Sequence, residues 1–98
     1  MPETPLEFEW EGDKAQRTIK RHDVTFEEAA GAFDDEFAYI FEDETHSLDE
    51  PRELLIGYSK RNRLLLIVFT QRGSLVRLIS ARRVDGKERK LYEQAKRF

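Results

Sequence analysis

The chain has 98 residues, no cysteine, 38% charged residues and a formal net charge of −3. That length fits one small domain over residues 1–98 with a thin core, and the missing cysteines exclude disulfides, thiolate metal sites and cysteine nucleophiles, which accords with a cytoplasmic setting. The longest apolar run, Leu64 to Phe69, is far too short to cross a bilayer, and no basic stretch leads into an apolar one near Met1, so neither membrane association nor a signal peptide is expected.

Leu6 to Trp10 alternates apolar and acidic residues, as a half-buried strand does. A helix capped by Asp13 should follow to about Arg21, with Ala15, Ile19 and His22 on one face and Lys14, Arg17 and Arg21 as a basic stripe on another. Thr25 and Glu28 match the capping box of a second helix that buries Phe26, Ala29, Ala30 and Phe33 and stops near Phe33. Phe37 to Glu42 alternates and reads as a second strand, and the polar segment from Asp43 to Pro51 reads as a loop. Glu53–Ser59, Arg63–Gln71 and Leu75–Arg82 then form three strands joined by short turns, an antiparallel meander. The middle one is apolar throughout, as a central strand buried on both faces would be. From Asp85 the chain reads as a helix with Leu91, Tyr92 and Ala95 inward. The order β-α-α-β-β-β-β-α defines an α+β domain with helices packed on an antiparallel sheet.

The small net charge hides a large asymmetry. Met1 to Glu50 carries 4 Lys/Arg against 16 Asp/Glu, and Pro51 to Phe98 carries 13 against 4. The halves are therefore −12 and +9, which suggests a molecule with one basic face suited to an anionic partner. Arg52, Arg61, Arg63, Arg72, Arg77, Arg82 and Arg83 all fall in or beside the meander. Each has two readings. It pairs with a carboxylate of the acidic half and does nothing chemical, or several converge on a phosphate, whose oxygens suit the planar guanidinium fork. Strand alternation puts Arg77 and Arg82 on opposite faces unless a bulge intervenes.

His22 and His46 are the two histidines, and so the natural proton-transfer groups near neutral pH, with capping or packing as the plainer reading. No third ligand at suitable spacing accompanies them, so no metal or other cofactor is expected. Phe8 and Trp10 are better placed to anchor the first strand than to stack on bases.

Several segments together resemble one family. "FEW…DKA" (Phe8 to Ala15), "HDVTFEEA" (His22 to Ala29), "HS" at His46, "RELLIG.S" (Arg52 to Ser59), "R.LLIVFT.RG…RLISAR" (Arg63 to Arg82) and "ER..YE" (Glu88 to Glu93) fall in the order and at the spacing of BrnT-type toxins. The departures are Glu11 for the family's usual Asp, Thr18 for a common Asn, and Arg21-His22-Asp23 for Lys-His-Gly. The resemblance implies a RelE-like fold, metal-independent cleavage of messenger RNA, growth arrest, and neutralisation by a cognate antitoxin whose DNA-binding region alone contacts the operon. On chemistry and motif match, Arg63, Arg77 and Arg82 are expected as phosphate binders and transition-state stabilisers, and His22 and His46 as acid or base. Lys14, Arg21 and Arg52 would hold the substrate. The rival expectation is a protein-binding module without catalysis, docking an antitoxin-like partner through the basic half or through a sheet face that the helices leave bare.

Overall fold

A computed structural model of the protein describes residues 5–43 and 51–97. Its elements, in chain order, are β1 (Glu7–Glu9), α1 (Gly12–His22), α2 (Phe26–Gly31) with a short 3-10 turn (Ala32–Asp34), β2 (Tyr39–Glu42), β3 (Glu53–Tyr58), β4 (Leu64–Arg72), β5 (Leu75–Arg83) and α3 (Gly86–Lys96). The order agrees with the one expected. The sheet has five strands in the order β1-β5-β4-β3-β2 and is mixed rather than wholly antiparallel, because β1 runs parallel to β5. The two helices after β1 carry the chain across the sheet to its far edge. The meander then returns strand by strand until β5 lies beside β1.

Both faces of the sheet are covered, each by a different helical layer. On one face Leu65, Ile67 and Phe69 of β4 join Val76, Leu78 and Ala81 of β5 in a core with Val24, Phe26, Ala29 and Ala32. Trp10 stands edge-on to Phe26 at 5.8 Å, and Phe33 lies 5.0 Å from both Phe8 and Phe69. Phe8 of β1 and Trp10 just after it thus anchor that strand on the first core. On the other face Ile56, Leu64 and Leu66 pack with Tyr92 of α3. The apolar run of β4 is the consequence, since the central strand feeds both cores. Tyr92 is buried, but Leu91 remains 41% exposed, so α3 presents a narrower apolar stripe than its sequence suggests.

Two local features differ from simple pattern reading. Val68 pairs with Ser80 and Phe69 with Leu78, so Ile79 is an extra residue bulged out of β5. The bulge inverts the alternation and puts Arg82 on the same face as Arg77. At α2, Thr25 accepts the Glu28 amide as a cap should, but the Glu28 carboxylate does not close the box. It turns inward to Ser59 and Arg63. The reciprocal box forms instead at α3, between Asp85 and Glu88.

Candidate active-site groove

α1 lies along β5 where β1 no longer covers it. Its basic last turn ends at Asp23, whose left-handed backbone (φ 57°) returns an amide to the Ile19 carbonyl. Thr18 is the buried residue of this helix, and Ile19 is 40% exposed. Turned this way, α1 aims its basic stripe at the bulge. One cavity of about 250 Å³ is lined by Lys14, Arg17, Thr18, Arg21, His22, Ile79 and Ser80. A second, of about 270 Å³, adjoins it through Lys14 and Ile79 and adds Arg77, Trp10, Glu9 and Glu11. Together they make a groove with cations along its length and two carboxylates at one end. Four of the residues singled out from the sequence meet here: Lys14, Arg21, His22 and Arg77. Arg17 belongs with them by the same helical spacing, and Ser80 arrives only because of the bulge.

Arg77 is set directly across from Glu9 in the parallel pairing, and its Nε and Nη2 donate to Glu9 Oε2 at 3.2 and 2.9 Å. Both side chains are open to solvent, 62% and 39% exposed. An exposed pair of this kind contributes little stability and exchanges readily with another anion.

The other expected residues lie elsewhere. Arg63 donates to Glu28 through Nε (2.9 Å) and Nη2, and Nη2 also donates to the Asp23 carbonyl at 2.8 Å. Glu28 is 4% exposed and Arg63 18%, so this is a buried pair, completed by the Ser59 hydroxyl donating to Glu28 at 2.7 Å. The Arg63 guanidinium holds the Glu28 carboxyl below the ordinary carboxylate range, against the opposing effect of burial, with Ser59 assisting. The same bond raises the pKa of Arg63. Arg82 forms a two-pronged pair with Glu88, at 2.9 and 2.6 Å, that ties the end of β5 to α3 and raises the pKa of Arg82. Arg52 precedes β3 and lines neither cavity of the groove, and its carbonyl accepts the Asp43 amide. His46 lies outside the described residues.

Much of the distinctive sequence therefore builds scaffold. Asp35 accepts the Tyr58 and Phe37 amides and the Tyr92 hydroxyl, at 2.9, 3.0 and 2.7 Å. Burial pushes the Asp35 carboxyl up, but these donors bring it below its usual value. Burial and the hydrogen bond to Asp35 raise the pKa of Tyr92. Gly57 is needed because a Cβ there would stand 3.1 Å from the Ala32 carbonyl and 3.0 Å from Leu55.

Residues 10–88 match the family described as "Ribonuclease toxin, BrnT, of type II toxin-antitoxin system". The chain belongs to the BrnT family. The fold is similar to the crystal structure of the Brucella abortus ribonuclease toxin BrnT, with a TM-score of 0.63 and 20% identity over 82% of this chain and 97% of that one. No curated protein sequence matches the chain. Among the described residues, no group of three or more His, Asp or Glu side chains is placed to hold a metal ion, and no helix is long and apolar enough to cross a membrane.

Proposed function

We propose that this BrnT-family protein is an endoribonuclease that cleaves messenger RNA in the α1–β5 groove. The observation that carries the reading is the groove itself: Lys14, Arg17, Arg21, His22 and Arg77 line one trough between a helix and a strand. In the reaction the 2′-hydroxyl attacks the adjacent phosphorus and the bond to the 5′-oxygen breaks, leaving a 2′,3′-cyclic phosphate and a 5′-hydroxyl. Negative charge grows on the phosphate oxygens. Arg77, carried on a strand, and Lys14 and Arg21, carried on a helix, are donors placed to stabilise it, Arg77 by exchanging Glu9 for the phosphate. His22, at the end of α1 in the groove wall, takes the 2′-proton or returns one to the 5′-oxygen. On this reading these groups carry the cleavage without a metal.

On this reading the domain is a RelE-like toxin scaffold acting in the cytoplasm. Unchecked cleavage arrests growth, and a cognate antitoxin neutralises it by laying an acidic segment along the groove. The antitoxin carries the DNA-binding region, so operon DNA is reached only through it. The test is incubation of the purified protein with single-stranded RNA in EDTA. Fragments ending in cyclic phosphate are expected, and their suppression by the protein encoded beside this one. Intact RNA at high protein concentration would overturn the reading.

One observation favours a second reading, a docking module without catalysis. Arg63, Arg77 and Arg82 each already hold a carboxylate. Such a module would bind the neighbouring protein tightly, yet cause no growth arrest when expressed alone.

A further inference from the structure

A third concavity, of about 540 Å³, opens at the end of the sheet between the β3–β4 turn and the start of α3. Tyr58, Asn62, Arg63, Arg83 and Arg89 line it. Arg83 and Arg89 differ from Arg63, Arg77 and Arg82. Among the described residues neither meets a carboxylate, although the chain carries 20 acidic residues. Arg89 instead donates to the Tyr58 hydroxyl at 3.4 Å. Two exposed guanidinium groups sharing one concavity repel each other unless an anion lies between them.

We propose that this concavity is a second phosphate subsite, one that grips the RNA backbone beyond the α1–β5 groove. The inference rests on the ribonuclease reading and extends it to the length of strand bound. Two observations favour RNA over an acidic polypeptide, since guanidinium forks match phosphate and carboxylate oxygens alike. Tyr58 and Asn62 add a ring and an amide suited to a base. The position also lies near the end of the groove. Arg63 lines the concavity, and its guanidinium rests on the carbonyl of Asp23, the residue after His22. A strand leaving the groove at His22 passes this point.

The test is fluorescence anisotropy with uncleavable 2′-O-methyl oligonucleotides of about 3 and about 12 nucleotides, a span set by typical single-strand site sizes, titrated across a salt series. The parent should bind the longer one more tightly and with the steeper salt dependence. Arg83→Ala/Arg89→Ala should lower the log–log salt slope for the longer one by about 1.4, since each single-strand phosphate contact contributes roughly 0.7. It should leave the shorter one unchanged, and Lys14→Ala/Arg21→Ala should weaken both. An unchanged slope in the Arg83/Arg89 variant, while the Lys14/Arg21 variant weakens both, overturns the subsite and leaves the ribonuclease reading standing. Binding of neither oligonucleotide by the parent overturns both. A poly-glutamate peptide is the comparison ligand. If the Arg83/Arg89 variant loses the peptide but keeps the full RNA slope, the concavity belongs to an acidic protein partner and the proposal fails.

Discussion

Arg63→Ala should destabilise the protein strongly, and any loss of activity should follow from that. The substitution strands Glu28, which is 4% exposed, with Ser59 as its one close donor and with Arg61 3.6 Å away on the surface. Removing one member of a buried ion pair costs about 3–5 kcal/mol, most of it the burden of the unpaired charge left behind. The bond to the Asp23 carbonyl adds about 0.5–1.5 kcal/mol. Against a total stability of about 5–15 kcal/mol, this brings a chain of 98 residues close to unfolding at ambient temperature. At roughly 4–8 °C per kcal/mol, Tm should fall by about 15 °C or more. The assay is urea and thermal unfolding followed by Trp10 fluorescence and circular dichroism. Two controls isolate the charge. Glu28→Gln/Arg63→Ala should recover much of the loss, because an amide is cheaper to bury than an unpaired carboxylate. In Arg63→Ala itself the gap to the parent should close as pH falls from 7 toward about 5, because burial without its partner raises the Glu28 pKa and the neutral acid carries no desolvated charge. If Arg63→Ala unfolds within about 1 kcal/mol of the parent at neutral pH, the pair is not structural and the reasoning fails.

Three further outcomes are expected. Acid should unfold the parent below about pH 4, where Glu28 and Asp35, both depressed in the folded state, must be protonated. The unfolded chain binds more protons in that window, so stability falls as pH falls through the folded values; an acid titration with a flat stability there would contradict it. Gly57→Ala should cost about 1–3 kcal/mol by forcing a methyl against the Ala32 carbonyl, read as a lower urea midpoint at unchanged slope. Glu9→Gln should tighten RNA binding up to about fivefold, since releasing Arg77 from an exposed pair is worth at most about 1 kcal/mol. Weaker binding in that variant would count against Arg77 as a phosphate ligand.

The element order, the central strand and the aromatic anchoring of β1 were legible because each rests on short-range pattern. The direction of β1 was not, since a three-residue alternating strand reads alike in either orientation. The site was legible in part. The spacing of Lys14, Arg17 and Arg21 is enough to put three cations on one side of a helix. Dividing the chain into an acidic and a basic half obscured this, because the groove takes most of its cations from the acidic half, from α1. The arginines of the meander stand out by number, yet the folded chain carries Glu28 to Arg63, Glu9 to Arg77 and Glu88 to Arg82. Those pairings span 35, 68 and 6 residues of sequence, and in the first two no local rule links the partners. The bulge at Ile79 has no composition signal, yet it decides which face Arg82 occupies and brings Ser80 into the groove.

The most direct measurement is the single-turnover rate of RNA cleavage in EDTA by variants matched for folded fraction. Lys14→Ala, Arg21→Ala and Arg77→Ala should each keep the parent's unfolding curve and lose about 10²-fold or more in rate, as removal of a fixed transition-state donor does. Arg82→Ala, whose partner is Glu88 rather than substrate, should cleave at close to the parent rate. Full activity in the three groove variants, with cleavage lost in Arg82→Ala, would place the chemistry at the junction of β5 with α3 rather than in the α1–β5 groove and contradict the assignment.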